Sequence, residues 1–150
     1  MGRIGEFVSR LYRRLDGLEW LWRLVVRVGV GLMFFGSGLG KLGKLDSFVQ
    51  YFRSLHIPAP QVQAPMVALI ELGAGALIVL GLATRPAALL LSGVMVVALL
   101  TAAIPDHHVT ATWKGLLDFL YLPEWLLLLL LVWLMVAGAG RASLDARLRR

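Results

Sequence analysis

The residue with the clearest capacity for chemistry is Glu71, the only charged side chain in the apolar stretch of residues 64–82. At about 1.5 Å of helix rise per residue, this stretch is long enough to cross a bilayer. An ionisable side chain at that depth costs about 2.5–3.5 kcal/mol on insertion scales, so it is expected to face other helices or a wet cavity and to have a partner. We therefore treat Glu71 as the first candidate functional residue.

Three more charged residues could lie near Glu71 if the helices that carry them are adjacent. Helix rise puts Glu71 about 9 Å inside the end of its span that lies away from the chain termini, which we call the outer end, and Arg27 about 20 Å below Lys41. We predict a polar pocket in the outer half of the protein that holds a polar head group, formed by Arg27, Lys41, Glu71 and Glu124. Glu71 and Lys41 would be its catalytic pair. The alternative is a structural ion-pair network without turnover.

The composition of the chain indicates an integral membrane protein. Its 150 residues are 59% hydrophobic, and the mean hydropathy is +0.78. The sequence contains no cysteine, which excludes disulfide exchange, iron–sulfur ligation and thiol nucleophiles. Any redox work would therefore need a bound molecule or a partner to carry the electrons.

Hydrophobic stretches predict an all-α bundle of four transmembrane helices, at residues 20–39, 65–82, 87–104 and 123–138. A basic amphipathic helix, residues 1–19, precedes this membrane domain of residues 20–140, and a basic cytoplasmic tail follows it at 141–150. A short interfacial helix is expected from Asp46 to just before Pro58.

Charge distribution predicts the orientation of the protein in the membrane. The net charge is +6, and most arginines lie near the termini or in the loop at Arg85, which four spans place on one side. The positive-inside rule then puts both termini in the cytoplasm. Because the basic residues flank apolar spans without interleaved aromatic residues, we predict lipid rather than nucleic acid as the partner surface.

Glycine motifs in the first span indicate packing rather than nucleotide binding. The G-x-G-x-x-G of residues 38–43 has no preceding strand, and Leu45 replaces the Ser or Thr of a P-loop. Gly36 and Gly40 form a GxxxG pattern, and residues 73–76 are all small, so both faces are expected to let helices approach closely. These faces could serve inside the bundle or pair protomers into a homo-oligomer. We expect Ser37 to hydrogen-bond within or between helices.

The histidines favour a polar loop over a metal centre. His56, His107 and His108 all fall in or beside the outer loops, unlike the facing intramembrane imidazoles of a haem bundle. A metal site from His107, His108 and Asp106 is an alternative, but it lacks a third well-spaced ligand. We predict no metal.

Several short segments, taken in order, resemble the DoxX family of small membrane proteins. They are RVGVGL at 27–32, GLGKL at 38–42, IP at 57–58, ELGAG at 71–75, LGLATR at 80–85, GAG at 138–140 and SLD at 143–145. The resemblance implies a four-helix transmembrane bundle in the bacterial inner membrane. It also implies a redox context, because related DoxD and DoxA-type proteins form a thiosulfate:quinone oxidoreductase.

With the charged pocket, this resemblance predicts an integral membrane subunit of a redox-associated complex that interacts with a quinone and with a redox partner protein. A lysine or arginine would bond a quinone oxygen while a carboxylate handles its proton. The alternative is a non-catalytic membrane scaffold or assembly factor. A small transporter is less favoured, because the sequence shows no repeat or broken helix.

Overall fold

The computed structural model describes residues 17–106, 109–110 and 112–148. Most of the predicted N-terminal amphipathic helix lies outside these residues, as do His107 and His108. Within the described residues the chain is helical and contains no strand. The all-α class predicted from the hydrophobic pattern is therefore confirmed.

The helices are α1, Glu19–Gly43; α2, Leu45–Ser54; α3, Pro60–Leu80; α4, Thr84–Asp106; α5, Trp113–Leu120; α6, Pro123–Ala137; and α7, Leu144–Leu148. Among the described residues, α1, α3 and α4 are long and apolar enough to cross a membrane. The pair α5 and α6, bent by 61°, qualifies as a fourth span when taken together. The described residues thus contain three candidate membrane spans, or four if the bent pair is counted as one.

Proline and glycine set the limits of these helices. Pro60 and Pro123 stand in the first turns of α3 and α6, where a missing backbone N–H costs no hydrogen bond. Gly81 ends α3 in the left-handed conformation, with φ +68°. Only three residues separate α3 from α4, so the two helices are antiparallel neighbours.

The closest helix pair in the bundle is α1 and α3, and glycines allow the approach. A Cβ on Gly38 would lie 2.5 Å from the backbone nitrogen of Leu72, and one on Gly75 would lie 2.5 Å from that of Phe35. Gly31 faces α3 in the same way, with backbone atoms 2.8 Å from the position of a Cβ. A methyl group at any of these three positions would push the helices apart.

The predicted packing motif at Gly36 and Gly40 does not make this contact. A Cβ added to either residue would meet nothing within 4 Å, and Gly73 on α3 is equally open. The glycines that pack are instead Gly31 and Gly38, seven positions apart and so on one face of α1. The prediction of close helix packing is therefore confirmed for Gly38, which lies in the G-x-G-x-x-G motif, and for Gly75, which lies in the small stretch 73–76, whereas it was wrong for Gly36 and Gly40.

The larger of the two buried apolar clusters lies mainly in the half of the bundle nearer the turn at Gly81, which we call the Gly81 end. Its fully buried side chains include Ile78, Leu91, Leu131 and Leu134, from α3, α4 and α6. At the opposite end, which we call the Lys41 end, α4 contains a π-helical segment, Leu99–Ala103. Such segments insert an extra residue into a turn and are frequent beside functional sites.

Candidate functional site

Glu71 is the centre of the candidate site, and it is 1% exposed. The ammonium nitrogen of Lys41 lies 2.5 Å from its Oε1 and 2.7 Å from its Oε2. The hydroxyl of Ser37 donates a hydrogen bond of 2.9 Å to Oε2. The buried carboxylate is therefore paired with a cation and hydrogen-bonded, which is what burial of a charge requires.

The local sequence explains why these three side chains meet. Ser37 and Lys41 are four residues apart in α1 and so lie on the same face of the helix. Gly38, next to Ser37, brings that part of α1 against the backbone of α3. Glu71 stands on the face of α3 that also buries Ala68 and Gly75, and it therefore points at α1.

A cavity of about 520 Å³ adjoins this cluster at the Lys41 end of the bundle. Ser37, Lys41 and Glu71 line it on one side, and most of its remaining wall is apolar, from α1, α2, α3, α4 and α6. The side chain of Lys41 is 28% exposed, in contrast to the buried Glu71. The cavity thus combines a charged end with an apolar body, as ligand pockets usually do.

Glu124 and Tyr51 also line the cavity, away from the ion pair. Among the described residues Glu124 forms no salt bridge with Lys41, although the predicted pocket contained both. Tyr51, on α2, has its pKa raised by burial first and then by the negative charges of Asp106 and Glu124. The cavity therefore has a second polar wall that is acidic and carries a phenol.

Arg27 does not join the cluster at Glu71. Its guanidinium donates hydrogen bonds to the carbonyl oxygens of Ala139, at 2.7 Å, and Ala142, at 2.8 Å. These carbonyls follow the end of α6, at the Gly81 end, and Arg27 is not among the residues that line the cavity. The structure thus separates Arg27 from the other three residues of the predicted pocket, because its guanidinium is held by carbonyls at the Gly81 end whereas the other three line the cavity at the Lys41 end.

Asp145 completes the contacts at the Gly81 end. Its carboxylate accepts hydrogen bonds from the backbone N–H groups of Ala83, at 2.8 Å, and Thr84, at 3.1 Å. It therefore caps the start of α4, while Arg27 satisfies carbonyls beyond the end of α6. Both residues tie the C-terminal segment to the bundle.

Comparison with known proteins places the chain in a family. The family model DoxX matches residues 22–104, which include Ser37, Lys41 and Glu71. The chain belongs to the DoxX family. No solved structure matches it.

Three relatives of this DoxX protein are found among curated sequences. "Putative oxidoreductase CatD" of Bacillus subtilis is 34% identical over 81% of this chain and 83% of its own length. "Inner membrane protein YphA" of Escherichia coli is 38% identical over 57% and 58% of the two chains. "Uncharacterized membrane protein Rv3486" of Mycobacterium tuberculosis is 31% identical over 85% and 81%. The family resemblance read from the sequence is confirmed, as is the assignment to the membrane.

The site of this DoxX protein can bind an acceptor atom and exchange a proton. An ammonium group has three N–H donors, and two contacts to Glu71 leave at least one for a ligand. The carboxylate of Glu71 can take up or release a proton. Among the described residues no group of three or more His, Asp or Glu side chains could hold a metal ion.

Ser37 is the residue of the candidate site that the sequence pattern did not single out. Serine is common in apolar spans and usually hydrogen-bonds within its own helix. The residue type alone therefore did not indicate a contact with Glu71. Its spacing of four residues from Lys41 was the available clue, because that spacing puts both on one face. The π-helical segment of α4 had no comparable sequence signal.

Proposed function

We propose that this protein is the integral membrane subunit of a redox-associated complex and that its cavity binds the head group of a quinone. The observation that carries the proposal is the ion pair between the buried Glu71 and the partly exposed Lys41, in the wall of a cavity that is otherwise mostly apolar. A quinone ring buried in a cavity needs apolar walls for its carbon surface. It also needs hydrogen-bond donors for its oxygens, because an oxygen buried without a donor is costly.

The volume of the cavity suits such a ligand. Pockets of about 300–1,000 Å³ hold drug-sized molecules and bury most of their surface. At about 520 Å³, the cavity lies within this range. It is large enough for an aromatic ring with substituents.

Lys41 and Glu71 have separate roles in this proposal. Lys41 donates its remaining N–H to a quinone oxygen and stabilises the negative charge that builds there during reduction. Reduction of a quinone to a quinol by two electrons takes up two protons: Glu71 would take one proton up and pass it to the quinone, and the other would come from water that reaches the partly exposed Lys41. Ser37 holds Oε2 of Glu71 and so fixes the direction of the carboxylate.

The two electrons come from a partner protein of the oxidoreductase class. The sequence has no cysteine that could form a thiol or iron–sulfur centre of its own. The name of the CatD relative, which includes the word oxidoreductase, supports a redox context. The quinone is thus proposed as the electron acceptor, and the chain as the part of the complex that binds it.

We further propose that the protein lies in a bacterial inner membrane with both termini in the cytoplasm. Arg23, Arg27 and Arg85 lie at the Gly81 end, where their guanidinium groups donate to carbonyls at or beyond the end of α6. The positive-inside rule supports a cytoplasmic location for that end. The name of the YphA relative, which describes an inner membrane protein, supports this location.

Binding of menadione, a quinone without a tail, tests the proposed site. The protein in lipid nanodiscs should bind it, and Lys41→Met should raise the Kd about tenfold or more, since a hydrogen bond to a charged group contributes about 1.5–3 kcal/mol. Lys44→Met is the matched control, because Lys44 is exposed and does not line the cavity. Equal binding by wild type and Lys41→Met, with a partner protein retained by both, would favour the scaffold alternative.

A further inference from the structure

One end of the cavity is covered by aromatic side chains of α2. Phe48 and Phe52 both line the cavity, and their rings meet edge to face with centroids 4.7 Å apart. Phe52 is 7% exposed, and the ammonium of Lys41 lies 5.0 Å from the ring centroid of Phe48. These two rings cover part of the cavity at the Lys41 end, where Tyr51 of the same helix also lines the cavity and is 44% exposed.

The side of the cavity formed by α3 and α4 is open by comparison. These two helices are neighbours that join at Gly81, far from the cavity. Met66 of α3 and Val97 of α4 both line the cavity, yet they are 48% and 54% exposed. A residue that lines a cavity and is also half exposed stands at its rim. Since both helices are candidate membrane spans, this rim faces lipid.

Gly93 is the decisive feature of this rim. It lines the cavity and lies on the exposed surface of α4. A Cβ added to it would meet nothing within 4 Å, so neither α3 nor any other described element fills the space beside it. At this position the wall of the cavity has no side chain.

We infer that Met66, Gly93 and Val97 form a lateral portal, through which the apolar tail of the bound ligand extends from the cavity into the bilayer. The site therefore takes a membrane-dissolved amphiphile with a long chain, and the ligand enters from the lipid rather than from water. The tail of such a ligand stays in hydrocarbon before and after binding, so the site avoids the free-energy cost of transferring its CH₂ groups from lipid into water. This inference rests on the proposed quinone site and specifies its substrate class.

Two quinones with the same ring but different tails test the portal. Phylloquinone carries a long phytyl tail, and menadione carries none. In nanodiscs, Gly93→Phe should raise the Kd for phylloquinone about tenfold or more, because the phenyl ring occupies the path of the tail. The Kd for menadione should change by less than about twofold, since it does not use the portal. That unchanged value also shows that the site is folded.

Leu90→Phe is the matched control, because Leu90 is an exposed residue of the same helix that does not line the cavity. It should leave both Kd values unchanged. If Gly93→Phe raises the Kd for both quinones, Val97→Trp is measured in its place. Val97→Trp must then raise the Kd for phylloquinone and leave the Kd for menadione unchanged. Phylloquinone binding that is insensitive to both variants, with menadione still dependent on Lys41, overturns the portal alone. Failure of the wild type to bind either quinone overturns the proposed function as well.

Discussion

Lys41 and Glu71 are 30 residues apart in the sequence, yet the ammonium nitrogen of Lys41 lies within hydrogen-bond distance of both oxygens of Glu71. The pair joins α1 to α3 at the Lys41 end of the bundle, above the glycine contacts that bring the same helices together. Glu71 is buried, whereas Lys41 keeps a partly exposed face. One ion pair therefore serves both the packing of the helices and the polar end of the cavity.

Removal of Lys41 should destabilise the protein more than removal of the whole pair. Lys41→Met leaves the carboxylate of Glu71 buried without its cation, which costs about 3 kcal/mol, the low end for buried pairs because Lys41 is partly exposed. The double variant Lys41→Met/Glu71→Leu should recover most of this loss. Unfolding of the detergent-solubilised protein in a double-mutant cycle measures both values. Equal stability of the two variants would contradict a buried charge pair.

Alanine substitutions distinguish the glycines that pack from those that do not. Gly75→Ala should destabilise the protein by about 1–3 kcal/mol, because its methyl group would meet the backbone of Phe35. Gly36→Ala is the matched control in α1 and should stabilise by up to about 1 kcal/mol, since alanine favours helices and the space is open. Thermal unfolding in detergent compares them. If Gly36→Ala were the more damaging of the two, the GxxxG motif would be the true packing face.

The sequence predicted the spans well because their signal is strong and local. A long run of apolar residues interrupted by one carboxylate leaves few alternatives to a membrane helix, and the structure has α3 from Pro60 to Leu80. The choice of packing glycines depends instead on the rotation of α1 against α3. Gly36 and Gly38 are only two residues apart but lie on different faces of α1. No local sequence pattern determines which of these faces packs against α3.

The same limit explains the mixed outcome at the site. Depth along a helix, which follows from helix rise, correctly allowed Lys41 to reach Glu71. Depth also allowed Arg27 to reach Glu71. Helix rise, however, carries no information on the carbonyl oxygens beyond the end of α6, which lack helix partners and accept the hydrogen bonds of Arg27. Partners for charged groups are set by tertiary contacts, and irregular segments such as residues 138–143 are the hardest to place from sequence.

Arg27 should be needed for the C-terminal segment and not for the ligand. Arg27→Lys replaces a planar group that reaches two carbonyls by a single ammonium, and should cost about 2 kcal/mol through the lost hydrogen bonds. Trypsin should then cut faster after the exposed Arg141, while the Kd for menadione stays unchanged. Arg147→Lys, an exposed change on α7, is the control and should alter neither. Weaker menadione binding without faster cleavage would instead show that Arg27 contributes to the ligand pocket.

The acidic wall of the cavity should be visible in the titration of Tyr51. Burial is the first cause of its raised pKa, followed by Asp106 and Glu124, so Glu124→Gln should lower the pKa only part of the way toward the ordinary value of about 10. Because the folded protein holds this proton more tightly than the unfolded chain, stability should fall as the pH rises through and above that value. Tyrosinate absorbance, with Tyr51→Phe subtracted, measures the pKa. Asp118→Asn is the control, because it removes an exposed carboxylate that does not act on Tyr51, and it should leave the pKa of Tyr51 unchanged. If Glu124→Gln and Asp118→Asn shifted this pKa equally, the shift would reflect only the change in net charge.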